Sequence, residues 1–204
     1  MKSSDSRLRQ LHRRWQESQL VQDEIAYRTE QLRQAEICPA QVEVAALGGS
    51  QAALALSGMS ALPESQFQVL DGLSRLDRRA LEVAGVLGVL LGLPHFETRF
   101  PDDGRPRRVL EFLTDLEACR ELVRFPANPP SSSVSDRILF AVFRASNMLR
   151  DATTEAAPLS LVVAAHREMQ ALIPDLLLIV QRHLRQAFDP VWWEQFSTVT
   201  GLSH

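Results

Sequence analysis

Five histidines, His12, His95, His166, His183 and His204, are the side chains best suited to proton transfer or metal binding near neutral pH. None belongs to an HExxH pair, which sets two zinc ligands on one helix face. None follows a glutamate by three residues, the spacing used in carboxylate-bridged di-iron bundles. The chain also lacks a Walker A loop, a GxGxxG turn and a GxSxG elbow. Its two cysteines, Cys38 and Cys119, form no CxxC or Cys/His pattern. A zinc site and a disulfide framework are therefore not expected, and a reducing compartment fits. Catalysis by isolated residues stays open, and no cofactor is indicated.

His166 is the most suggestive single residue, because it lies in the mostly apolar stretch LVVAAHREMQ. It could line a cavity, act as an acid or base, or ligate haem. It could equally be a core histidine satisfied by one carbonyl or carboxylate. His183 follows 17 positions later, about 25 Å along a straight helix, so the two cannot share a ligand unless the helix is broken. Arg144 stands on one helix line with Arg137 and Asp151. That line suits either a solvated face or the gripping of a carboxylate or phosphate. Asp175 follows Pro174 within an apolar segment, where it could cap a restarted helix or hold a buried arginine.

The stretch RRALEVAGVLGVLLGLPHFE contains a run of 12 residues, Val83 to Pro94, without charge. A bilayer span needs about 20 apolar residues, and this run is fenced by Arg79, Glu82, Glu97 and Arg99. No transmembrane segment is expected. A helix apolar on every side belongs at the centre of a bundle. Ala80, Ala84, Gly88 and Gly92 recur every four positions and make a smooth strip. Each glycine costs a helix about 0.5–1 kcal/mol relative to alanine. Something should therefore lie against the strip. A second helix at short distance is one occupant. A flat ligand is the other, with His166, Gly88, Gly92, Arg144 and Asp175 as its binding residues.

Leucine, alanine, glutamine, glutamate and arginine dominate, and alternating β-type patterns are nearly absent, so the expected class is all-α. The pattern predicts a single orthogonal or mixed bundle of five to seven helices with a long N-terminal helix. That first helix spans residues 5–37. Residues 1–36 form an amphipathic unit free to project, and residues 37–204 form the core domain. Gly48-Gly49 breaks the segment 40–60. A helix follows over 67–93, with a joint at Asp71-Gly72, then a loop over 94–106 and a helix over 107–125 that turns Cys119 inward. A flexible loop lies near 126–135, with Ser135 capping a helix over 136–151. The last long helix, 158–188, is kinked at Pro174.

The net charge is -3. The basic cluster Arg7, Arg9, Arg13 and Arg14 is diluted at once by Glu17, Asp23 and Glu24, which disfavours nucleic acid as a partner. No apolar segment follows the N-terminal charges, so the cytoplasm is the expected location. The alanine- and leucine-rich composition is of a bacterial kind. The expected function is that of a non-catalytic accessory, regulatory or assembly protein. It would act through a protein partner or self-association, using Leu8, Leu11 and Trp15 on the first helix and Trp192 and Trp193 near the end. The alternative is a small-molecule or cofactor-binding protein, with or without enzyme activity, whose pocket lies beside the 80–92 strip.

Overall fold

Local capping signals divide the chain more finely than its apolar periodicity does. The structure, a computed structural model, describes residues 2–113, 145, 147–148, 158–170 and 175–202. All regular structure among them is helical, in eleven α-helices and one 3₁₀ turn. The expectation of five to seven helices is corrected by this count.

The first break falls inside the long N-terminal helix. Helix α1 is Lys2–Ser18 and α2 is Val21–Arg33. Gln19 between them has a left-handed backbone, φ 53°, which no α-helix can contain. The Ser18 hydroxyl holds the turn, donating to Asp23 Oδ2 at 2.6 Å and accepting from the Leu20 N–H at 3.2 Å. The two helices fold back as a hairpin, and α2 packs on the body.

Pro39 starts α3, Pro39–Leu47, at the position where its missing N–H matters least. The Gly48-Gly49 pair separates α3 from α4, Gln51–Ser57. The predicted 67–93 helix is also two. Helix α5, Gln66–Leu76, opens with a reciprocal capping box between Ser65 and Gln68. It stops at Asp77, not at the expected joint at Asp71-Gly72. Asp77 is extended, and its carboxylate accepts the Arg79 N–H at 2.5 Å, which starts α6, Arg78–Leu90. The expected loop after Pro94 is partly helical, as α7, Leu93–Arg99, and α8, Arg105–Leu113, begins earlier than its pattern suggested.

Helix α9 is Pro158–Gln170 and α10 is Leu176–Leu184; a 3₁₀ turn, Arg185–Phe188, leads into α11, Pro190–Thr200. The predicted helix over 158–188, kinked at Pro174, corresponds to α9, α10 and the 3₁₀ turn, and the expected kink falls outside the described residues. Pro174, Arg137, Cys119, Ser135, Arg144, Asp151 and the expected 126–135 loop lie outside the described residues.

Helix α6 is the centre of the molecule. Ten of its residues are buried, from Ala80 and Leu81 through Val83 to Leu90. It packs against α5, α9, α10 and α11. Each fully buried Leu or Val contributes about 1.5–3 kcal/mol of transfer free energy, and here they face neighbours on all sides. No helix among the described residues is long and apolar enough to cross a membrane.

Candidate functional site

The small-residue strip receives a helix at the point the sequence marks most clearly. Helix α9 lies against α6, and His166 is the side chain that enters. Its Nε2–H donates to the Ala84 carbonyl at 3.0 Å. A carbonyl only accepts, so the proton sits on Nε2 and leaves Nδ1 as a bare acceptor. Nδ1 has no hydrogen-bond partner among the described residues. A Cβ on Gly88 would lie 3.0 Å from Nε2. Gly88 thus makes room for the imidazole, and the ring occupies the space a ligand would need there. Burial pushes the His166 pKa down to about 4, opposed by the bond to Ala84. The residue is neutral at physiological pH.

Of the other residues of the predicted ligand group, Arg144 lies outside the described residues, and Gly92 and Asp175 have other roles. Gly92 lies beyond the end of α6 and caps α7, its carbonyl accepting the Phe96 N–H at 3.3 Å. Asp175 is exposed at the start of α10. Its carbonyl accepts the Ile179 N–H at 2.9 Å, but its side chain makes no cap bond.

Trp192 and Trp193 are buried in the chain's own core, not displayed. Phe196 stacks on Trp192 with 4.8 Å between ring centroids and tilts against Trp193 at 5.8 Å. Leu8, Leu11 and Trp15 are half-buried on α1. Trp15 belongs to an aromatic group with His12 and Tyr27; its ring stacks on Tyr27 at 5.5 Å, and His12 lies 4.9 Å from Tyr27.

That group surrounds a residue the sequence reading passed over. The Arg28 guanidinium lies 4.3 Å from the Phe188 ring, 4.9 Å from Trp15 and 5.2 Å from Tyr27. These three rings come from α1, α2 and the 3₁₀ turn. A guanidinium is weakly hydrated and stacks well on aromatic faces, so one side chain clasps the hairpin to the body. Arg28 also donates from Nη1 to Gln31 Oε1 at 2.8 Å. Its Nε lies 3.5 Å from Glu24 Oε1 without hydrogen-bond geometry. Burial pushes its pKa down, with Glu24 acting against this; an arginine so placed still keeps its charge.

Ion pairs extend the clasp along the hairpin. Arg14 meets Asp23 at 2.7 Å, and Arg7 meets Glu30 at 3.7 Å. Hydrogen bonds from Arg33 and Gln34 hold the Glu30 carboxyl down at about 2.

Beside Arg28 an open cleft of about 510 Å³ runs between α2, the start of α4 and the 3₁₀ turn. Glu24, Arg28, Ser50, Arg185, Phe188 and Asp189 line it, with Val21 at its edge. A glycine pair shapes it. A Cβ on Gly48 would lie 2.2 Å from the Arg185 backbone nitrogen, so only glycine lets the 3₁₀ turn come this close. Gly49 has φ 83°, and the Arg185 Nη2 lies 3.3 Å from where its Cβ would be. Arg185 donates from Nε to the Gly48 carbonyl at 3.2 Å. The glycine pair is visible in the sequence as a break; its role as a seat for Arg185, 137 residues away from Gly48, is not.

A second open cleft, about 620 Å³, lies between α3, residues 57–63 and α5. Its Arg75 is paired with Asp71 at 2.6 Å. Among the described residues no group of three or more potential metal ligands occurs. Compared with known proteins, the chain matches no family, no curated protein and no solved structure.

Proposed function

We propose that this protein is a non-catalytic helical accessory protein, regulatory or assembly-forming, that works by contact with a protein partner through the α1–α2 hairpin and the cleft at its base. The observation that carries the reading is the apolar rim of that cleft. Val21, at its edge, is 44% exposed, and its neighbour Leu20 is 59% exposed. Val191, two residues past the cleft residue Asp189, is 61% exposed. An exposed aliphatic edge on a polar cleft suits a protein surface more than a small solute. The hairpin supports the same reading, because charge and aromatic stacking hold it, and its outer face, with Arg13 and Gln16, stays open. The cytoplasm is the compartment this reading implies.

Site-specific photo-crosslinking in the native host tests it. A photoreactive residue at position 21 should give a discrete protein adduct, or a dimer of this chain. The same residue at Leu178, exposed on α10, should not. Equal yields at both positions, or a small molecule released from the purified protein on denaturation, would overturn the proposal.

A further inference from the structure

The geometry points to the cleft as the docking place for an acidic segment of the partner, a Glu or Asp flanked by aliphatic residues, with its carboxylate on the Arg185 guanidinium. This rests on the reading of the protein as a partner-binding module. Four observations carry it together.

The first is the charge balance inside the cleft. Two cations and two carboxylates face it, but both carboxylates are engaged. Glu24 sits beside Arg28 at 3.5 Å. Asp189 accepts the Val191 and Trp192 N–H groups at 2.9 and 3.2 Å, capping α11. Among the described residues Arg185 has no carboxylate partner. Its Nε donates to the Gly48 carbonyl, leaving the Nη groups as the charged end. A guanidinium fixed at Nε still offers two donors to a carboxylate.

The second is positioning. The close approach at Gly48 and the missing side chain of Gly49 fix both the backbone and the guanidinium of Arg185. A preorganised donor loses less entropy on binding than a free surface arginine. The third is Arg28, 9% exposed and lining the same cleft, with an Nε that lacks a hydrogen bond. Its stacked charge cannot swing away, so it keeps Glu24 engaged and leaves Arg185 as the cation that an incoming carboxylate meets. The fourth is exposed Val21 at the cleft edge, with its exposed chain neighbour Leu20, which suits aliphatic neighbours of the carboxylate. An inorganic anion would use the arginine and leave the rim bare.

The test titrates the ¹⁵N-labelled full chain with a capped pentapeptide of alternating leucine and glutamate, its glutamine counterpart and inorganic phosphate. Saturable shifts at Gly48, Gly49, Arg185 and Phe188 are expected with the glutamate peptide. The glutamine peptide should bind at least about tenfold more weakly, the loss of one charge-assisted contact. Arg185→Gln should weaken binding by a similar factor, with thermal unfolding as the check on folding. Gln51→Glu is the second variant. Gln51 is exposed, lines the cleft and opens α4, where an added acid suits the helix start. It should keep the fold and still weaken the glutamate peptide several-fold. Equal binding of the two peptides, indifference to both variants, or saturation by phosphate alone would overturn the inference. A position-21 adduct that survives Arg185→Gln would overturn this inference and leave the partner-binding reading standing. Absence of any adduct beside a normal peptide titration would overturn the partner-binding reading and leave the cleft chemistry in place.

Discussion

At the α6–α9 contact, His166 is 1% exposed, neutral and packed against Ala84 and Gly88. At the base of the hairpin, Arg28 is nearly as well covered, yet it stays charged among three aromatic rings and Glu24. The first region removes a charge to fit its core. The second builds its contact around one. An imidazole sheds its proton at modest cost, so aliphatic packing can proceed around it. A guanidinium cannot, so its neighbours must accommodate it. The proposed partner contact lies beside the region organised around a retained charge, and the apolar run of α6 serves packing.

The largest expected effect separates the two glycines that shape these regions. Gly48→Ala should destabilise the protein by about 3 kcal/mol or more, because its Cβ meets backbone that cannot yield. Gly88→Ala should cost much less, because its Cβ meets an imidazole edge that can move. Denaturant unfolding of both variants would break the comparison if the order were reversed.

The next effect is in pH. His166 has a folded pKa near 4 against an ordinary 6.5. Between these values the unfolded chain takes up a proton that the folded chain refuses. The stability tied to neutral His166 is thus complete above pH 6.5 and is lost as pH falls through 4. The loss is about 3 kcal/mol. His166→Leu should flatten this slope measurably in unfolding experiments at pH 7, 5.5 and 4. His183, whose pKa burial also lowers, would keep a smaller slope of the same sign. An unchanged slope in the variant would remove His166 from the account.

Arg28→Leu should destabilise the chain by about 2 kcal/mol, through lost cation–π contacts and an unpaired Glu24. Hydrogen exchange should rise in α1 and α2 while α6 keeps its protection. Uniform loss across both regions would show that the hairpin is not a separable contact. The smallest effect is expected for Arg14→Ala, below about 1 kcal/mol, since the Arg14 side chain is largely exposed and its pair with Asp23 is screened. A larger shift in the unfolding midpoint would mean that ion pairs, more than Arg28, hold the hairpin.

Helical class and a central apolar helix were legible from composition and from the tight charge fence around residues 83–94. The break at Gly48-Gly49 was legible because glycine pairs interrupt helices locally. The number of helices was not. Asp77 and Gln19 end helices by adopting extended and left-handed backbones, and periodicity carries no signal for either. The candidate site was the least legible part. Arg28 looks like one more charged helix residue, and Arg185 and Phe188 look like the end of a long helix.

By itself, the sequence determined the helical class, that residues 80–92 must be covered, and that Gly88 leaves space for something. Tertiary structure alone decided what fills that space and where charge survives. His166 reaches Ala84 across 82 positions, and Arg185 reaches Gly48 across 137. Such pairings depend on how whole helices stack. Helical periodicity sets the face a residue occupies, and only the packing of faces sets which residue it meets.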